Sequence, residues 1–300
     1  MINFWADKKI LVTGGAGFIG SHLVEMLVEL GGEVTVADDL SNGNLKNLEK
    51  IFDKIKFLNL DLKILTNCRM ACEDREIVFN LAAKVANIGY NRGHHAGMFE
   101  DNILLQVLPL KAASESGVKK FLQASTVCGY PDDAIGPTPE SEGERGAPET
   151  TNEGYGWAKR MGEKLAKFYA NENAMKIVIS RFSNVYGERD QFDEKIAHVI
   201  PAFIRKCLAE KTITVWGSGN QSRSFLYVKD AAIGLIKLME CYDRPDSVNI
   251  GGAEMITMKD LLNKIIRLLG TNNNVVWDIS HPDGHLKRQS DIAKLQAITG

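Results

Sequence analysis

Residues 9–20 have the sequence KILVTGGAGFIG, and this stretch decides the fold. Its first five residues are an apolar, β-branched run that predicts a buried strand, and a helical pattern with one apolar stripe follows at residues 21–30. Between them, the glycines at Gly-x-x-Gly-x-x-Gly spacing are Gly14, Gly17 and Gly20. Such a turn lets backbone approach a pyrophosphate, and the following helix N-terminus offers N–H groups to the phosphates. We therefore predict that a dinucleotide binds here, with Phe18 and Ile19 part of its site.

Asp38 comes directly after the second predicted strand, residues 33–37. A carboxylate at this place accepts hydrogen bonds from the ribose hydroxyls of adenosine and repels a 2′-phosphate. The sequence therefore predicts NAD(H) as the cofactor in preference to NADP(H).

The order of elements predicts an α/β protein with a doubly wound parallel sheet, because strands and helices alternate over the first 180 residues. The predicted strands are 9–13, 33–37, 55–60, 77–81, 120–124 and 176–180, and the long helices are 98–115 and 155–171. The later elements are helices 198–210, 229–240 and 258–269, with strands 212–216, 224–228, 248–250 and 275–277 between and after them. We predict a dinucleotide-binding domain of residues 1–180 plus 224–248, and a smaller C-terminal α/β lobe of residues 181–223 and 249–300 for substrate. No clear helix precedes Gly300, so we expect a shortened chain.

Charge and composition exclude several classes of protein. The 36 Lys and Arg residues nearly balance the 38 Asp and Glu residues, which argues against a protein that binds nucleic acid or an anionic membrane. The apolar runs are far shorter than the ~18 residues that cross a bilayer, and no signal-peptide pattern opens the chain. The five cysteines are odd in number and scattered, as in reduced cytoplasmic proteins. We expect a cytoplasmic protein, and neither Cys68 with Cys72 nor His281 with His285 predicts a metal site.

Tyr155 and Lys159 are four residues apart and share one face of the predicted helix. A phenol with a pKa of ~10 becomes a useful base only if its pKa falls by about three units, roughly 4 kcal/mol of differential stabilisation. A nearby ammonium and a nicotinamide cation could supply this in a closed site. The pair therefore predicts proton transfer beside the cofactor.

These motifs together resemble the extended short-chain dehydrogenase/reductase family, the NAD-dependent epimerases and dehydratases, which mostly act on nucleotide sugars. The resemblance implies a Rossmann fold in which Tyr155 and Lys159 are the catalytic pair. It also implies that Asp61 and Leu62 contact the adenine. It further implies that Leu81, Ala82 and Ala83, at the end of the fourth strand, lie beside the cofactor.

A third catalytic hydroxyl is expected just after the fifth strand, and the segment there fits the family in two alignments. In one alignment the hydroxyl position falls on Ala124, which has no hydroxyl group. In the other, Cys128-Gly129-Tyr130-Pro131 matches a Cys-Ile-Tyr-Pro pattern, the hydroxyl is Thr126, and Cys128 is an additional thiol. We prefer the second alignment because it leaves no catalytic group missing, with Ser125 as an alternative hydroxyl.

The second alignment is that of two groups in the family, the GDP-L-fucose synthases and the GDP-mannose 3,5-epimerases. Residues 151–155, 184–187 and 198–202 also resemble the synthases. The resemblance implies that Cys128 and His198 move protons at C3 and C5 beside a C4 ketone, and that the protein is a homodimer. The expected substrate contacts are Asn184, Trp216, Arg223 and Arg288. Simpler interpretations are a small buried residue for Cys128 and a backbone contact for His198.

We therefore expect an NAD-dependent epimerase/reductase of a nucleotide sugar, GDP-linked, with hydride transfer at C4. The Asp38 carboxylate departs from the NADPH preference of the fucose synthases. An alternative is a C4 dehydrogenase or 4-epimerase with tightly bound NAD and an inert Cys128. A hypothesis of another class is a non-catalytic NAD-binding sensor, which would not need the Thr126, Tyr155 and Lys159 set.

Overall fold

The computed structural model describes residues 3–86, 88–194, 196–280 and 286–300. The strands are β1 (Lys9–Thr13), β2 (Glu33–Ala37), β3 (Lys56–Leu58), β4 (Ile77–Asn80), β5 (Lys120–Thr126), β6 (Lys176–Phe182), β7 (Asn184–Tyr186), β8 (Thr212–Trp216), β9 (Ser222–Tyr227), β10 (Ser247–Ile250), β11 (Met255–Thr257), β12 (Asn274–Asp278) and β13 (Lys287–Arg288). The α helices are α1 (Phe18–Glu29), α2 (Leu65–Cys72), α3 (Ile88–Asn91), α4 (His95–Glu115), α5 (Glu153–Glu172), α6 (Val199–Ala209), α7 (Val228–Cys241), α8 (Met258–Leu269) and α9 (Ala293–Thr299).

A seven-stranded parallel sheet forms the centre of the molecule, in the order β10-β6-β5-β4-β1-β2-β3. The predicted doubly wound α/β fold is confirmed. The chain reverses its direction of winding at β1, which pairs with β2 on one side and β4 on the other. Ligands bind at such a reversal, beyond the carboxyl ends of the strands.

Helices cover both faces of the sheet. Helices α1, α7 and α9 cover the face that buries Leu23 and Val36, and α2, α4 and α5 cover the face that buries Leu11 and Phe121. Strands buried on both faces are hydrophobic along their whole length, which explains the apolar runs in the sequence.

The C-terminal helix α9 corrects the expectation that no helix precedes Gly300. None of its residues is fully buried, so its apolar pattern is weak. Leu295 and Ile298 nevertheless pack on the core, and tertiary contact therefore stabilises a helix that the pattern did not indicate.

A smaller group of elements follows the large sheet. Strands β7, β9, β11 and β13 form a four-stranded sheet, β8 pairs with β12, and α6 packs on α8. Strand β9 thus belongs to the small sheet, whereas β10 forms an edge of the large one. The division of the chain into two functional domains remains a prediction.

The segment 131–152 connects β5 to α5 and contains two short 3₁₀ turns, Glu140–Glu144 and Thr150–Asn152. A buried ion pair lies beneath it, in which Arg181 binds Glu163 and donates to the Glu140 carbonyl oxygen at 2.6 Å. The loop is therefore fastened to the sheet. In the described part of the chain, no helix is long and apolar enough to span a membrane.

Candidate active site

The glycine turn after β1 leaves room for a ligand at one position and none at another. A Cβ on Gly20 would lie 2.2 Å from the Gly14 carbonyl oxygen, so this position requires glycine for the close approach of turn and helix. A Cβ on Gly17 would meet only that same oxygen, at 3.2 Å, and α1 begins just after it without a side-chain cap. The open helix end fits the predicted binding of a pyrophosphate.

Hydrogen bonds between β1 and the segment at the end of β4 hold this turn in place. The Thr13 hydroxyl donates to Asn80 Oδ1 at 2.7 Å and accepts from the Ala82 N–H at 3.1 Å. Leu81, Ala82 and Ala83 therefore run directly beside the turn, as the family resemblance implies. Each of the three is half-buried.

The carboxylate of Asp38 is joined to the same turn. Its Oδ2 accepts from the Ala16 N–H at 3.0 Å and its Oδ1 from the Leu40 N–H at 2.9 Å. Burial raises the pKa of Asp38, which is only 7% exposed. Each carboxylate oxygen has two lone pairs, so both can still accept from a ribose hydroxyl. The residues present therefore fit an adenine dinucleotide.

Asp61 and Leu62 lie past β3, at the same edge of the sheet. The Asp61 side chain is 40% exposed and its Oδ1 accepts from the Lys63 N–H at 2.9 Å. The Leu62 side chain instead lies in the core, so only its backbone is left for contact with an adenine. The Asp61 carboxylate is the accessible group of the pair.

Thr126, Tyr155 and Lys159 lie where β5 ends against α5. The Lys159 ammonium is buried, donates to the Ala124 carbonyl oxygen at 3.0 Å and lies 5.7 Å from the centre of the Tyr155 ring. Within the described chain, the Tyr155 hydroxyl makes no hydrogen bond, and so is available to a substrate. Thr126 accepts from the Cys128 N–H at 3.2 Å.

The electrostatics of this pair differ from the expectation of a phenol with a lowered pKa. Burial lowers the pKa of Lys159 to about 7, although the Glu163 carboxylate opposes the shift. Burial, together with the charge of Cys128, raises the pKa of Tyr155. The charge of Lys159 therefore does not by itself lower the pKa of Tyr155.

A buried carboxylate that sequence reasoning missed, Glu149, acts on Cys128. Burial together with the Glu149 charge raises the pKa of the Cys128 thiol, and the Arg288 guanidinium opposes this shift. Glu149 is 1% exposed and forms an ion pair with Arg288 and a hydrogen bond with Asn152. Its only signal in the sequence is its place just before the Thr-Asn-Glu segment.

Arg223 and Arg288 stand side by side, in register, on the neighbouring strands β9 and β13. Burial and the charge of Arg288 lower the pKa of Arg223 to about 10. The Glu149 carboxylate acts on both guanidinium groups, and the Asp132 carboxylate acts on Arg288 as well. Of the other predicted substrate contacts, Trp216 is 64% exposed at the end of β8, and Asn184 donates to the Ser224 carbonyl oxygen at 3.1 Å.

His198 lies at the N-terminal end of α6, and its side chain is 44% exposed. Its Nδ1 is 2.9 Å from Oδ1 of Asp190, a buried carboxylate that sequence reasoning also missed. The hydrogen bond to Asp190 raises the pKa of His198, which burial opposes. The accessible ring therefore keeps a larger imidazolium fraction at neutral pH.

Two alternatives from the sequence can be placed as well. The Ser125 hydroxyl donates to the buried Glu163 carboxylate, so this alternative hydroxyl already has a hydrogen-bond partner. Cys68 and Cys72 are both buried on α2, where the Cys68 thiol donates to the Leu62 carbonyl oxygen at 3.0 Å. Among the described residues no three His, Cys, Asp or Glu side chains converge as metal ligands; His281 and His285 lie outside those residues.

A glycine turn before α1, a carboxylate after β2 and a tyrosine–lysine pair on α5 define a class of nicotinamide-dependent enzymes of the extended short-chain dehydrogenase/reductase type. The chain belongs to the NAD dependent epimerase/dehydratase family, whose model matches residues 10–251.

Relatives with several activities resemble the whole chain. Probable GDP-L-fucose synthase 1 of Oryza sativa subsp. japonica is 32% identical over 99% of this chain and 88% of its own length. GDP-mannose 3,5-epimerase 1 of Oryza sativa subsp. indica is 30% identical over 96% of this chain and 76% of its own. The solved UDP-glucose 4-epimerase of Thermotoga maritima superposes with a TM-score of 0.86 at 30% identity, covering 96% of this chain and 91% of that one.

Proposed function

We propose that the protein is an NAD-dependent epimerase/reductase of a GDP-linked sugar, with hydride transfer at C4 and epimerisation at C3 and C5. The observation that carries the proposal is the position of the Cys128 thiol. Cys128 lies in the turn after β5 and against α5 beside Tyr155, because a Cβ on Gly156 would lie 2.7 Å from the Cys128 carbonyl oxygen. One site thus holds both the proposed C4 proton donor and a second proton-transfer group. The similarity to the rice fucose synthase over 99% of this chain supports the GDP linkage.

In the proposed reaction, Tyr155 exchanges the proton of the C4 hydroxyl or ketone oxygen, and Thr126 hydrogen-bonds that same oxygen. When bound, the nicotinamide cofactor supplies hydride transfer at C4. Lys159, 5.7 Å from the tyrosine ring, tunes the proton affinity of Tyr155 through its charge. Arg223 and Arg288 supply positive charge for the diphosphate of the substrate, with Asn184 and Trp216 on the same lobe.

Cys128 and His198 are the proposed proton-transfer groups at the carbons beside the ketone. Epimerisation needs a base on one face of the sugar and an acid on the other. The Asp190 hydrogen bond favours the imidazolium form of His198, which suits the acid. Cys128 is the base in this proposal, and the opposing charges of Glu149 and Arg288 set how readily its thiol loses a proton.

A C4 dehydrogenase or 4-epimerase with NAD tightly bound is the second candidate. The raised pKa of Cys128 favours it, since a thiol that stays protonated cannot act as a base. The superposition on the Thermotoga UDP-glucose 4-epimerase supports it too.

Solvent-deuterium exchange separates the two candidates. The protein is incubated in D₂O with GDP-linked and UDP-linked 4-keto sugars, and incorporation is followed by mass spectrometry. We expect incorporation beside the ketone of the GDP-sugar, and a loss of about 10²–10⁴-fold in Cys128→Ser, because a serine hydroxyl is far less acidic than a thiol.

Tyr155→Phe is the matched control. It removes the proton donor at C4 and should abolish hydride transfer while deuterium exchange continues. A wild-type protein that incorporates no deuterium from any 4-keto sugar nucleotide would contradict the epimerase proposal and favour the C4 oxidoreductase.

A further inference from the structure

The carboxylate of Asp190 is buried, and its contacts within the described fold do not explain why a charged group lies there. Its side chain is 3% exposed, and Oδ1 accepts from the Gln191 N–H at 2.8 Å while facing His198 Nδ1. Oδ2 is buried without a hydrogen-bond partner among the described residues. A buried carboxylate oxygen without a partner is unfavourable, so a stable loop would be better served by an uncharged residue.

The two residues just before Asp190 are both held by contacts with α1. Arg189 adopts the left-handed backbone region, with φ of +69°, and its guanidinium lies 2.6 Å from the Glu25 carboxylate on α1. Before it, the Glu188 carbonyl oxygen lies 3.0 Å from Nε2 of His22, also on α1. A strained residue held by an ion pair fixes the direction of the next side chain. Asp190 is therefore presented to His198 by a rigid segment.

We propose that Asp190 is the positioning residue of His198: its carboxylate accepts the Nδ1–H and leaves Nε2 as the atom that exchanges a proton with the substrate. This inference rests on the proposed function of His198. A carboxylate on one ring nitrogen fixes the tautomer and the orientation of the ring. Proton transfer at a sugar carbon depends on both, since the reacting atoms must be aligned.

The charged side chains near His198 point to Asp190 as the group that positions its ring. Of the charged side chains in the described residues, only Asp190 acts on the His198 ring. Glu194, four residues before His198 in the sequence, is 75% exposed and pairs with Arg205 at 3.3 Å instead. Glu194→Gln thus removes a carboxylate of the same loop without touching His198, and serves as the matched control.

The test is a titration of the histidine rings by NMR on the full-length protein, with the His198 resonance identified by its absence in His198→Asn. We expect the wild-type pKa of His198 to lie above its usual value and to fall by roughly one unit or more in Asp190→Asn. Glu194→Gln should leave it unchanged. An unchanged pKa in Asp190→Asn overturns the proposal, whatever reaction the enzyme catalyses.

Solvent-deuterium exchange completes the test. In Asp190→Asn we expect a loss of about tenfold to a hundredfold in exchange rate, with the Kd of the sugar nucleotide unchanged. A wild type that exchanges and an Asp190→Asn variant that exchanges equally fast overturn this proposal alone. A wild type without exchange overturns the proposed epimerisation instead. Should Asp190→Asn not fold, Asp190→Glu keeps the charge: a raised pKa with slowed exchange supports positioning, and wild-type exchange overturns it.

Discussion

Two charged side chains at the carboxyl edge of the sheet, Asp38 and Lys159, have environments that can be tested one residue at a time. Asp38 is bound to the glycine turn by the Ala16 N–H and to its own loop by the Leu40 N–H. Its carboxylate is therefore fixed beside the place where an adenosine ribose is expected. Lys159 is fixed against β5 by its hydrogen bond to the Ala124 carbonyl oxygen.

Asp38→Asn should weaken the preference for NAD over NADP. We expect the wild type to bind NADH at least about tenfold more tightly than NADPH, because the carboxylate repels a 2′-phosphate, and the variant to bind them nearly equally. Isothermal titration with both cofactors measures this. Asp39→Asn, which removes an exposed neighbouring carboxylate, should keep the wild-type preference; equal affinities in the wild type would contradict the assignment.

The lowered pKa of Lys159 predicts that the stability of the protein rises with pH above neutrality. Its pKa is about 7 in the folded state and ~10.4 in the unfolded state, so between these values the unfolded chain binds more protons. The penalty for burying the ammonium is therefore complete below pH 7 and declines as pH rises. In urea unfolding between pH 6 and 9, the wild type should gain stability relative to Lys159→Met. A constant difference would show that the ammonium is not destabilised.

At the scale of elements, the buried Arg181–Glu163 pair joins β6 to α5 and holds the loop that contains Glu140. Ser125 of β5 and Ser247 of β10 also donate to Glu163. Three strands, one helix and the loop thus depend on one carboxylate. A network of this kind is stable only while each member keeps its partner.

Glu163→Gln should lower the free energy of unfolding by about 3–5 kcal/mol, because it leaves the Arg181 guanidinium buried without a counter-charge. Urea denaturation measures the change. Glu172→Gln, an exposed position on the same helix, should change stability by less than ~0.5 kcal/mol. If the two variants were equally stable, the network would not hold these elements together.

The sequence was most informative where function depends on local spacing. The glycine turn, Asp38 and the Tyr155–Lys159 pair each need a few residues at fixed intervals, so strand and helix periodicity was enough to predict where they lie. Glu149 and Asp190 could not be predicted in this way, since their partners Arg288 and His198 come together only through loops placed by tertiary contacts. The ends of β5 and β6 were also underestimated, because their last residues are held by pairing with each other.

At the scale of the whole molecule, the outer faces of α4 and α5 leave apolar side chains in solvent. Phe99 and Leu104 on α4 are 37% and 40% exposed, and Met161 and Phe168 on α5 are 41% and 49% exposed. The two helices already pack on each other, and Met161 and Phe168, seven residues apart, share one face. A patch of this kind favours association with a second copy.

We predict a homodimer that forms through this patch. Light scattering after size exclusion should give twice the 33.2 kDa mass of the chain, and the double variant Met161→Glu, Phe168→Glu should give a monomer. Charged residues would be buried without partners in the dimer. Ile233→Glu, at a similarly exposed site on α7, is the control and should remain dimeric. A monomeric wild type at micromolar concentration would contradict the prediction.

The contacts of Arg189 and Glu188 with α1 have a thermodynamic consequence. Helix α1 starts at the turn where the pyrophosphate is expected, and it is also the helix on which the loop before His198 rests. We therefore expect a dinucleotide that restrains this helix to restrain the loop before His198 as well. Any such coupling is reciprocal: the factor by which the dinucleotide raises the affinity for the sugar nucleotide must equal the factor by which the sugar nucleotide raises the affinity for the dinucleotide. An enzyme built in this way retains its cofactor best while it is occupied by substrate.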